Sequence, residues 1–400
     1  LSINFLATNP HLEISLEIAK RLSVYNDVKY INLGSYVSRP TLFPINTLKK
    51  LTQLKLRVHR AYNYLRNFSN VKILTDEAIY KLSNNYNLMT KSDFFENVTT
   101  LEDLQNLEYE NCDIGLGIAS TFISDLKDSN PFPLNRKSLT HCYEIYKSSL
   151  RAIEYFKSLL ILYPNFQVLV IFNGRYACEH AIKQFAIKKG LQVYYFERSY
   201  DFKRFFFADY MPHEFVKRKL EMKNLKNTMP KKDILKYGID FYSRKASGEG
   251  VYEKSYVDNQ LPCLSKKLSS KLTYCKNNNI KVISFFTKND DEYLFLDVNQ
   301  HPFPFWNNQR NAISIISDIC KNLGFFLVVR VHPNLCNKSK SERRRWDLLG
   351  REIIDDHCYW ISETDTESSY SLLKCSNLVI SAGSTVGVEA IALSLPSIVI

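Results

Sequence analysis

No stretch of the sequence approaches the roughly eighteen uninterrupted apolar residues that a membrane-spanning helix needs. The nearest, SLLILYPNFQVLVIF (158–172), is cut by Pro164, Asn165 and Gln167 into a helix end and a strand. No basic, apolar and cleavage-site succession marks a secretory leader, and LSINFLATNPHLEISLEIAKRL reads instead as a strand, a turn and an amphipathic helix. The nine cysteines form no CxxC pair. An odd, scattered set suits a reducing cytoplasm, the expected location, better than a disulfide framework or a zinc site. Internal repeats and low-complexity tracts are also missing. What is present is a 400-residue chain with 45% hydrophobic and 24% charged residues, enough for two or three soluble globular domains. The net charge of +12 points to nucleic acid, anionic headgroups or phosphorylated small molecules. It is equally explained by the lysine usage of a composition rich in Asn, Tyr and Phe.

Regular alternation of strands and helices is clearest in the last third. KVISFFT (281–287), FFLVVRV (325–331), CYWIS (358–362), NLVISAG (377–383) and SIVI (397–400) are short β-type runs, with helical patterns between them. Such alternation predicts βαβ crossovers and a doubly wound parallel sheet. Upstream, strands are expected at 2–7, 28–33, 71–75, 167–172 and 192–196, and helices at 11–22, 46–67, 136–162 and 177–189. The expected layout is an N-terminal Rossmann-like domain over 1–250, a connection over 251–270 and a C-terminal Rossmann-like domain over 271–400. The connection is read from the apolar-poor stretch around SRKASGEG. The last strand lacks the helix that normally follows, so the C-terminal domain is expected to be truncated.

In open α/β sheets, ligands gather at the carboxyl ends of strands, beside helix N-termini. SAGSTVGVEA places Ser381, Gly383, Ser384 and Thr385 at a helix entrance, where free N–H groups and the helix dipole favour an anion. The same pattern also fits a plain N-cap. RVHP ends its strand on Arg330 and His332, which either donate to that anion or simply terminate a strand. FFTKNDDE adds Thr287 and Lys288, and SETDTESSY adds Ser368, Ser369 and Tyr370. Glu389, one turn into the last helix, is a candidate acceptor for ribose hydroxyls. The acidic clusters NDDE and ETDTE lack companion His or Cys residues, so neither a metal nor a cofactor is expected. The basic–aromatic segment 201–232 reads as a solvated helix with a few buried aromatics, or as a surface that lies on anionic lipid.

These stretches resemble the bacterial capsule- and surface-polysaccharide glycosyltransferases of the GT-B fold. The resemblance runs through TNPHLEISLEIA, IFNGRYACEHAI, YYFERS, the DDE of 290–292, Trp306 with Gln309, RVHP, SSYSLL and GSTVGVEA. It implies two Rossmann-like domains facing a cleft, with the nucleotide sugar held by the second. The His-Pro motif and the Ser/Thr pair are similar to those that hold the nucleotide phosphate in sialyltransferases and Kdo transferases. Lys288 stands where that family carries serine. In inverting members the base often lies in the first loop, which makes His11 and Glu13 candidates by resemblance, with Glu197 a further one. Asn173, Gly174, Arg175 and Arg198 lie at the neighbouring strand tips, where acceptor groups would bind.

The expected function is therefore metal-independent transfer of a sugar from a nucleotide-sugar donor, CMP-linked among the options. The expected acceptor is a glycan or a lipid-linked molecule, reached from the cytoplasm or from the inner membrane face. His332 and Arg330 would steady the departing phosphate. Rival readings are a non-hydrolysing sugar-nucleotide epimerase of the same architecture, a basic nucleic-acid-binding protein and an inactive homologue. No nucleic-acid motif is present, and none is expected as a partner.

Overall fold

The computed structural model describes residues 1–4, 10–32, 48–74, 88–199, 204–247, 263–289 and 308–400. These form two compact units, one of Leu1–Leu126 with Asn130–Arg218, the other of Lys127–Ser129 with the described residues from Lys219 onward. Each is an α/β unit built on a mainly parallel sheet.

The first unit opens with β1 (Ser2–Asn4), α1 (His11–Leu22), β2 (Val28–Asn32), α2 (Leu48–Leu65) and β3 (Val71–Ile73). Two short helices, α3 (Lys91–Asn97) and α4 (Leu101–Gln105), precede a small hairpin of β4 (Glu108–Tyr109) and β5 (Cys112–Asp113). Then come α5 (Gly115–Leu126), α6 (Arg136–Leu162), β6 (Val168–Phe172), α7 (Ala177–Lys188), β7 (Gln192–Arg198), β8 (Phe205–Ala208) and α8 (Phe215–Thr228), whose residues from Lys219 onward already belong to the second unit. The large sheet runs β3-β2-β1-β6-β7-β8, parallel except for the β7–β8 pair. Ile3, Ile31, Leu169 and Ile171 are buried in one cluster with Phe122 and Phe156 from α5 and α6. Each such side chain contributes about 1.5–3 kcal/mol by leaving water, which is why these strands read as continuous apolar runs.

The second unit holds α9 (Lys231–Ala246), α10 (Lys266–Asn277), β9 (Val282–Phe286), α11 (Gln309–Asn322), β10 (Phe326–Arg330) and a 3-10 turn at Pro333–Asn337. It continues with α12 (Lys340–Ile353), β11 (Cys358–Ile361), α13 (Ser369–Cys375), β12 (Leu378–Ser381), α14 (Val386–Ala392) and β13 (Ser397–Val399). Its sheet, β11-β10-β9-β12-β13, is parallel throughout. Both sheets thus follow the 3-2-1-4-5 order of doubly wound folds. The strand order reverses between β1 and β6 in one sheet and between β9 and β12 in the other, which is where such sheets leave a crevice.

Strand and helix positions follow the sequence expectations closely, with two differences. Within the basic–aromatic segment, Phe205–Ala208 pairs as an antiparallel edge strand with Tyr195–Arg198, because three consecutive phenylalanines can pack on a sheet edge as well as on a helix face. The end of the expected connection over 251–270 already belongs to α10, which opens at Lys266, while 251–262 lie outside the described residues.

Candidate active site

At the reversal point of the first sheet, β6 runs directly into Asn173 and Gly174, both in left-handed backbone (φ 52° and 81°). Gly174 is required there, since a Cβ would stand 2.6 Å from the Tyr195 ring. The turn aims the Asn173 amide sideways, and its Nδ2 donates to Glu197 Oε2 at 2.6 Å. The other oxygen of Glu197 accepts the backbone N–H of Arg198 at 2.9 Å. Burial raises the proton affinity of this carboxyl, against the lowering pull of the Asn173 hydrogen bond and of Arg198 and Arg175. His11 is the first residue of α1, packed on Phe172 with ring centroids 4.5 Å apart. Its Nδ1 lies 3.8 Å from Glu197 Oε1. Burial, then the nearby Arg198, pull its pKa down to about 4, and its place at a helix N-terminus acts in the same direction. The ring is therefore neutral near pH 7 and the contact is not an ion pair. His11 Nδ1 and Asn173 Oδ1 are both buried without a hydrogen-bond partner. Together they offer two acceptors beside a proton-hungry carboxyl.

Glu13 takes no part in that cluster. It is half exposed and pairs with Arg57 of α2 at 2.7 Å, two residues along α1 from His11 and so on another face. Arg175 lies over the Tyr176 ring, 4.6 Å from its centroid, and donates to the Tyr176 hydroxyl.

In the second unit the tips of β9 and β10 are cross-linked. Thr287 is buried, its N–H bonds the Arg330 carbonyl, and its Oγ1 accepts the His332 N–H at 2.8 Å. His332 caps the 3-10 turn, with Nδ1 accepting the Asn334 N–H at 3.1 Å. In the neutral ring this leaves the proton on Nε2. Lys288 is held by its backbone: Gln309, the fully buried first residue of α11, accepts from its N–H at 2.8 Å and donates to its carbonyl at 2.7 Å. Arg330 turns away towards the loop after β11, where Nη1 bonds the Ser362 carbonyl at 2.8 Å. Burial lowers its pKa, opposed by Asp365 and Glu367.

The β12 tip leads through Ala382 and Gly383 (φ 68°) to α14. Ser381 is fully buried, with its hydroxyl beneath Gly387, and Ser384 Oγ accepts the Val386 N–H at 3.4 Å. Thr385 is exposed and its side chain makes no cap hydrogen bond. Glu389 is buried, with the Tyr370 hydroxyl bonded to it; burial and that carboxylate push the Tyr370 pKa up. Tyr242 of α9 meets Tyr370 edge-on at 6.0 Å. Ser368 is the N-cap of α13, accepting from Ser371 N at 3.2 Å, and Ser369 begins that helix.

Three clusters escaped the sequence reading. Glu342 of α12 accepts from Ser129 N and Oγ (3.0 and 2.6 Å), Arg310 Nη1 (3.2 Å), Trp346 Nε1 (3.0 Å) and Arg345. Burial alone would raise its pKa, but these donors outweigh burial and bring it to about 2. Asp128 joins through Arg345 and through Ser339, 2.7 Å away. The Ser339–Glu342 spacing, a capping-box signature, was the available signal. In the first unit, buried His180 bonds Asp113 at 3.3 Å and Lys183 at 3.0 Å; two polar residues on the apolar α7 and a carboxylate from β5, far away in sequence, carry no motif. Gln309 belonged to a recognised pattern, but its bonding was not legible. The 290–292 carboxylates and Trp306 lie outside the described residues. Among the described residues, no His, Cys, Asp and Glu are grouped to hold a metal ion, and no helix is long and apolar enough to cross a membrane.

No protein-family model matches the chain, and neither does any curated protein. Among solved structures it is similar to the β-Kdo 2,7 transferase KpsC of Thermosulfurimonas dismutans, with 12% identity, 61% of this chain and 67% of that one covered, and a TM-score of 0.35. It is also similar to UDP-GlcNAc 2-epimerase of Methanocaldococcus jannaschii, with 12% identity, 64% and 65% covered, and a TM-score of 0.26. A third, α,α-trehalose 6-phosphate synthase of Burkholderia multivorans, shows 10% identity, 100% and 82% covered, and a TM-score of 0.34. At such low identities these likenesses leave function to the side chains.

Proposed function

We propose that the protein is a metal-independent glycosyltransferase of the GT-B type, taking its sugar from a nucleotide-sugar donor. CMP-linked sugars are the first donors to test, and a surface glycan or its lipid-linked precursor is the acceptor. The observation that carries this reading is the His11–Glu197–Asn173 cluster at the reversal point of the first sheet. An acceptor hydroxyl placed beside it can give its one proton to Glu197, while His11 Nδ1 and Asn173 Oδ1 accept from neighbouring hydroxyls of the same acceptor. Asn173 and the Arg198 N–H hold the carboxylate in orientation, and burial makes it a stronger base than an exposed one. The deprotonated oxygen attacks the anomeric carbon as the bond to the donor phosphate breaks. On the donor side, His332 supplies an Nε2–H and the Gly383–Thr385 turn supplies backbone N–H groups and hydroxyls to the departing phosphate. Glu389 would accept from ribose hydroxyls in exchange for its bond from Tyr370.

Work at a membrane face fits α8, where Val216, Leu220, Met222 and Leu225 are exposed among Lys217, Arg218, Lys219, Lys223 and Lys226. The test is a thermal-shift screen against CMP, UDP, GDP and their sugars, followed by product analysis with a labelled donor. A labelled sugar transferred to an acceptor supports the reading. A sugar epimerised on its nucleotide, or no response to any nucleotide, overturns it.

A further inference from the structure

We infer that the amino-terminal side of the first sheet carries a second binding site, for an uncharged sugar unit. A cavity of about 490 Å³ lies there, at the start of β1, β6 and β7, within the ~300–1,000 Å³ of ligand pockets. Its floor is the sheet itself. Ser2, Val170 and Tyr194 stand in register across the three strands, with Val168 and Gln192 in the row before them. Leu22, the last residue of α1, forms part of the wall. Phe207 of β8 lies on the Tyr194 ring, with centroids 5.3 Å apart and planes 7° from parallel. Glu197 sits at the other end of β7, three residues or about 10 Å beyond Tyr194.

The lining chooses the ligand class. In a chain of net charge +12, none of the described residues around this cavity is a lysine or arginine, and Asp27 is the charged side chain there. Nucleotides, phospholipid heads and acidic sugars would find no cationic partner. What the cavity offers is amides and hydroxyls, which both donate and accept, as sugar hydroxyls do. Gln192 Nε2 donates to the Tyr194 hydroxyl at 3.0 Å and Asn26 Nδ2 to the Leu22 carbonyl at 3.0 Å, which leaves their amide oxygens as acceptors. On the floor, Ser2 is 1% exposed, and its hydroxyl has no hydrogen-bond partner among the described residues. A buried hydroxyl left unpaired is costly, and a ligand hydroxyl above it removes that cost. The stacked aromatic pair supplies the apolar half: the C–H face of a pyranose carries slightly positive hydrogens, which suit the negative face of an aromatic ring. A purely apolar ligand would leave the hydroxyl and the amides unpaired. None of the Glu197 cluster lines this cavity, so the inference does not depend on the transfer reading.

The experiment titrates the full chain, without any nucleotide, with maltotriose, chitotriose and lactose as neutral probes. Glucose 6-phosphate and N-acetylneuraminic acid serve as charged ones. Saturation-transfer NMR on the sugar protons detects binding, and calorimetry measures Kd. At least one neutral probe is expected to bind with a Kd on the order of 1 mM, and both charged probes at least about tenfold more weakly. Phe207→Ala should weaken the neutral probe about tenfold, and Gln192→Ala about fivefold. Both side chains are exposed, so both variants should melt close to the wild type. Glu197→Gln should bind the neutral probe as the wild type does. The inference is overturned if no neutral probe binds with a Kd below about 10 mM, if both Phe207→Ala and Gln192→Ala bind unchanged, or if glucose 6-phosphate binds as tightly. Loss of neutral-sugar binding in Glu197→Gln also overturns it, because the probe would then occupy the acceptor site. None of these results touches the transfer reading, which the nucleotide screen tests separately.

Discussion

His11 Nδ1 and Glu197 Oε1 stand 3.8 Å apart without forming an ion pair, because burial and Arg198 keep the imidazole neutral. A neutral imidazole next to a buried carboxyl whose proton affinity is raised, placed at a sheet's reversal point, is poorly explained by packing alone. A salt bridge would stabilise the fold more, and an apolar pair would cost less. Their placement makes sense if a hydroxyl belongs between them and the solvent.

Glu197→Gln should lower turnover by roughly a hundredfold or more while CMP or UDP affinity changes less than about twofold, since the donor phosphate is not its partner. Its carboxamide keeps the shape and can still bond Asn173. Glu13→Gln is the informative companion. Glu13 is half exposed and pairs with Arg57 at the surface, and exposed pairs contribute about 0–1 kcal/mol, so near-normal turnover and melting temperature are expected. Parallel steady-state kinetics and calorimetric titration of the two variants measure this. A crippled Glu13→Gln beside a normal Glu197→Gln would move the base to Glu13.

Acid should destabilise the first unit through His180. Its folded-state pKa is lowered to about 4, first by burial and then by Lys183, against an ordinary 6.5. A depressed base binds fewer protons folded than unfolded between those values. Its contribution is therefore whole above pH 6.5 and is lost as pH falls from 6.5 towards 4, by about 3 kcal/mol in all. Lys183, lowered by burial to about 8 from 10.5, adds a rise in stability between pH 8 and 10.5 by the same logic. Urea midpoints taken every half pH unit should slope accordingly, and His180→Gln should flatten the acid limb.

The Glu342 cluster predicts the largest single loss of stability. Glu342→Gln removes a buried negative charge and leaves Arg310 and Arg345 facing a neutral amide. Breaking one side of such a pair costs about 3–5 kcal/mol. Because the folded pKa is depressed to about 2, the wild-type contribution is present above the ordinary carboxylate value of 4.5 and is lost as pH falls towards 2. At pH 4.5 and above the variant should therefore melt well below the wild type, with the gap closing in acid. A variant as stable as the wild type at pH 7 would show that the donors are satisfied elsewhere.

Vesicle binding tests the exposed face of α8. Sedimentation with phosphatidylglycerol-containing vesicles should retain the protein at low salt, and each lysine near the surface contributes about 1 kcal/mol. Replacing Lys219, Lys223 and Lys226 by glutamate should abolish retention. Equal retention on neutral phosphatidylcholine vesicles would show that charge plays no part.

Most of the fold was legible because strand and helix periods differ and because parallel strands, buried on both faces, are apolar throughout. Val282–Phe286 and Phe326–Arg330 are buried at every position, and their sequence shows it. The edge strand Phe205–Ala208 was not legible, since half of each edge residue's surroundings is decided by a partner distant in sequence. At the site, residues that meet solvent at strand tips carried a signal, and His11, Asn173, Glu197 and His332 were all visible as candidates. What bonds to what was not. Arg330 shares the RVHP motif with His332 but bonds the Ser362 carbonyl, and Ser368 proves to be a helix cap. A motif gives residue types at a tip; direction depends on side-chain partners tens of residues away.

The double role of His332 allows its structural and chemical parts to be separated. Its Nδ1 caps the 3-10 turn by accepting the Asn334 N–H, while Nε2 is proposed to donate to the leaving phosphate. His332→Asn keeps the first role, because an asparagine oxygen is a good acceptor at an N-cap position, and it removes the Nε2–H. His332→Ala removes both. If only the cap matters, alanine should lower the melting temperature, asparagine should restore it, and turnover should follow the folded fraction in both. If the donor matters, the two variants should share a loss of turnover on the order of a hundredfold, although only alanine melts early. Because the contact strengthens as charge develops, the loss should fall more on kcat than on donor Kd. Melting curves, kcat and donor Kd measured on the same preparations decide it, and a fully active His332→Asn would leave the imidazole a cap and nothing more.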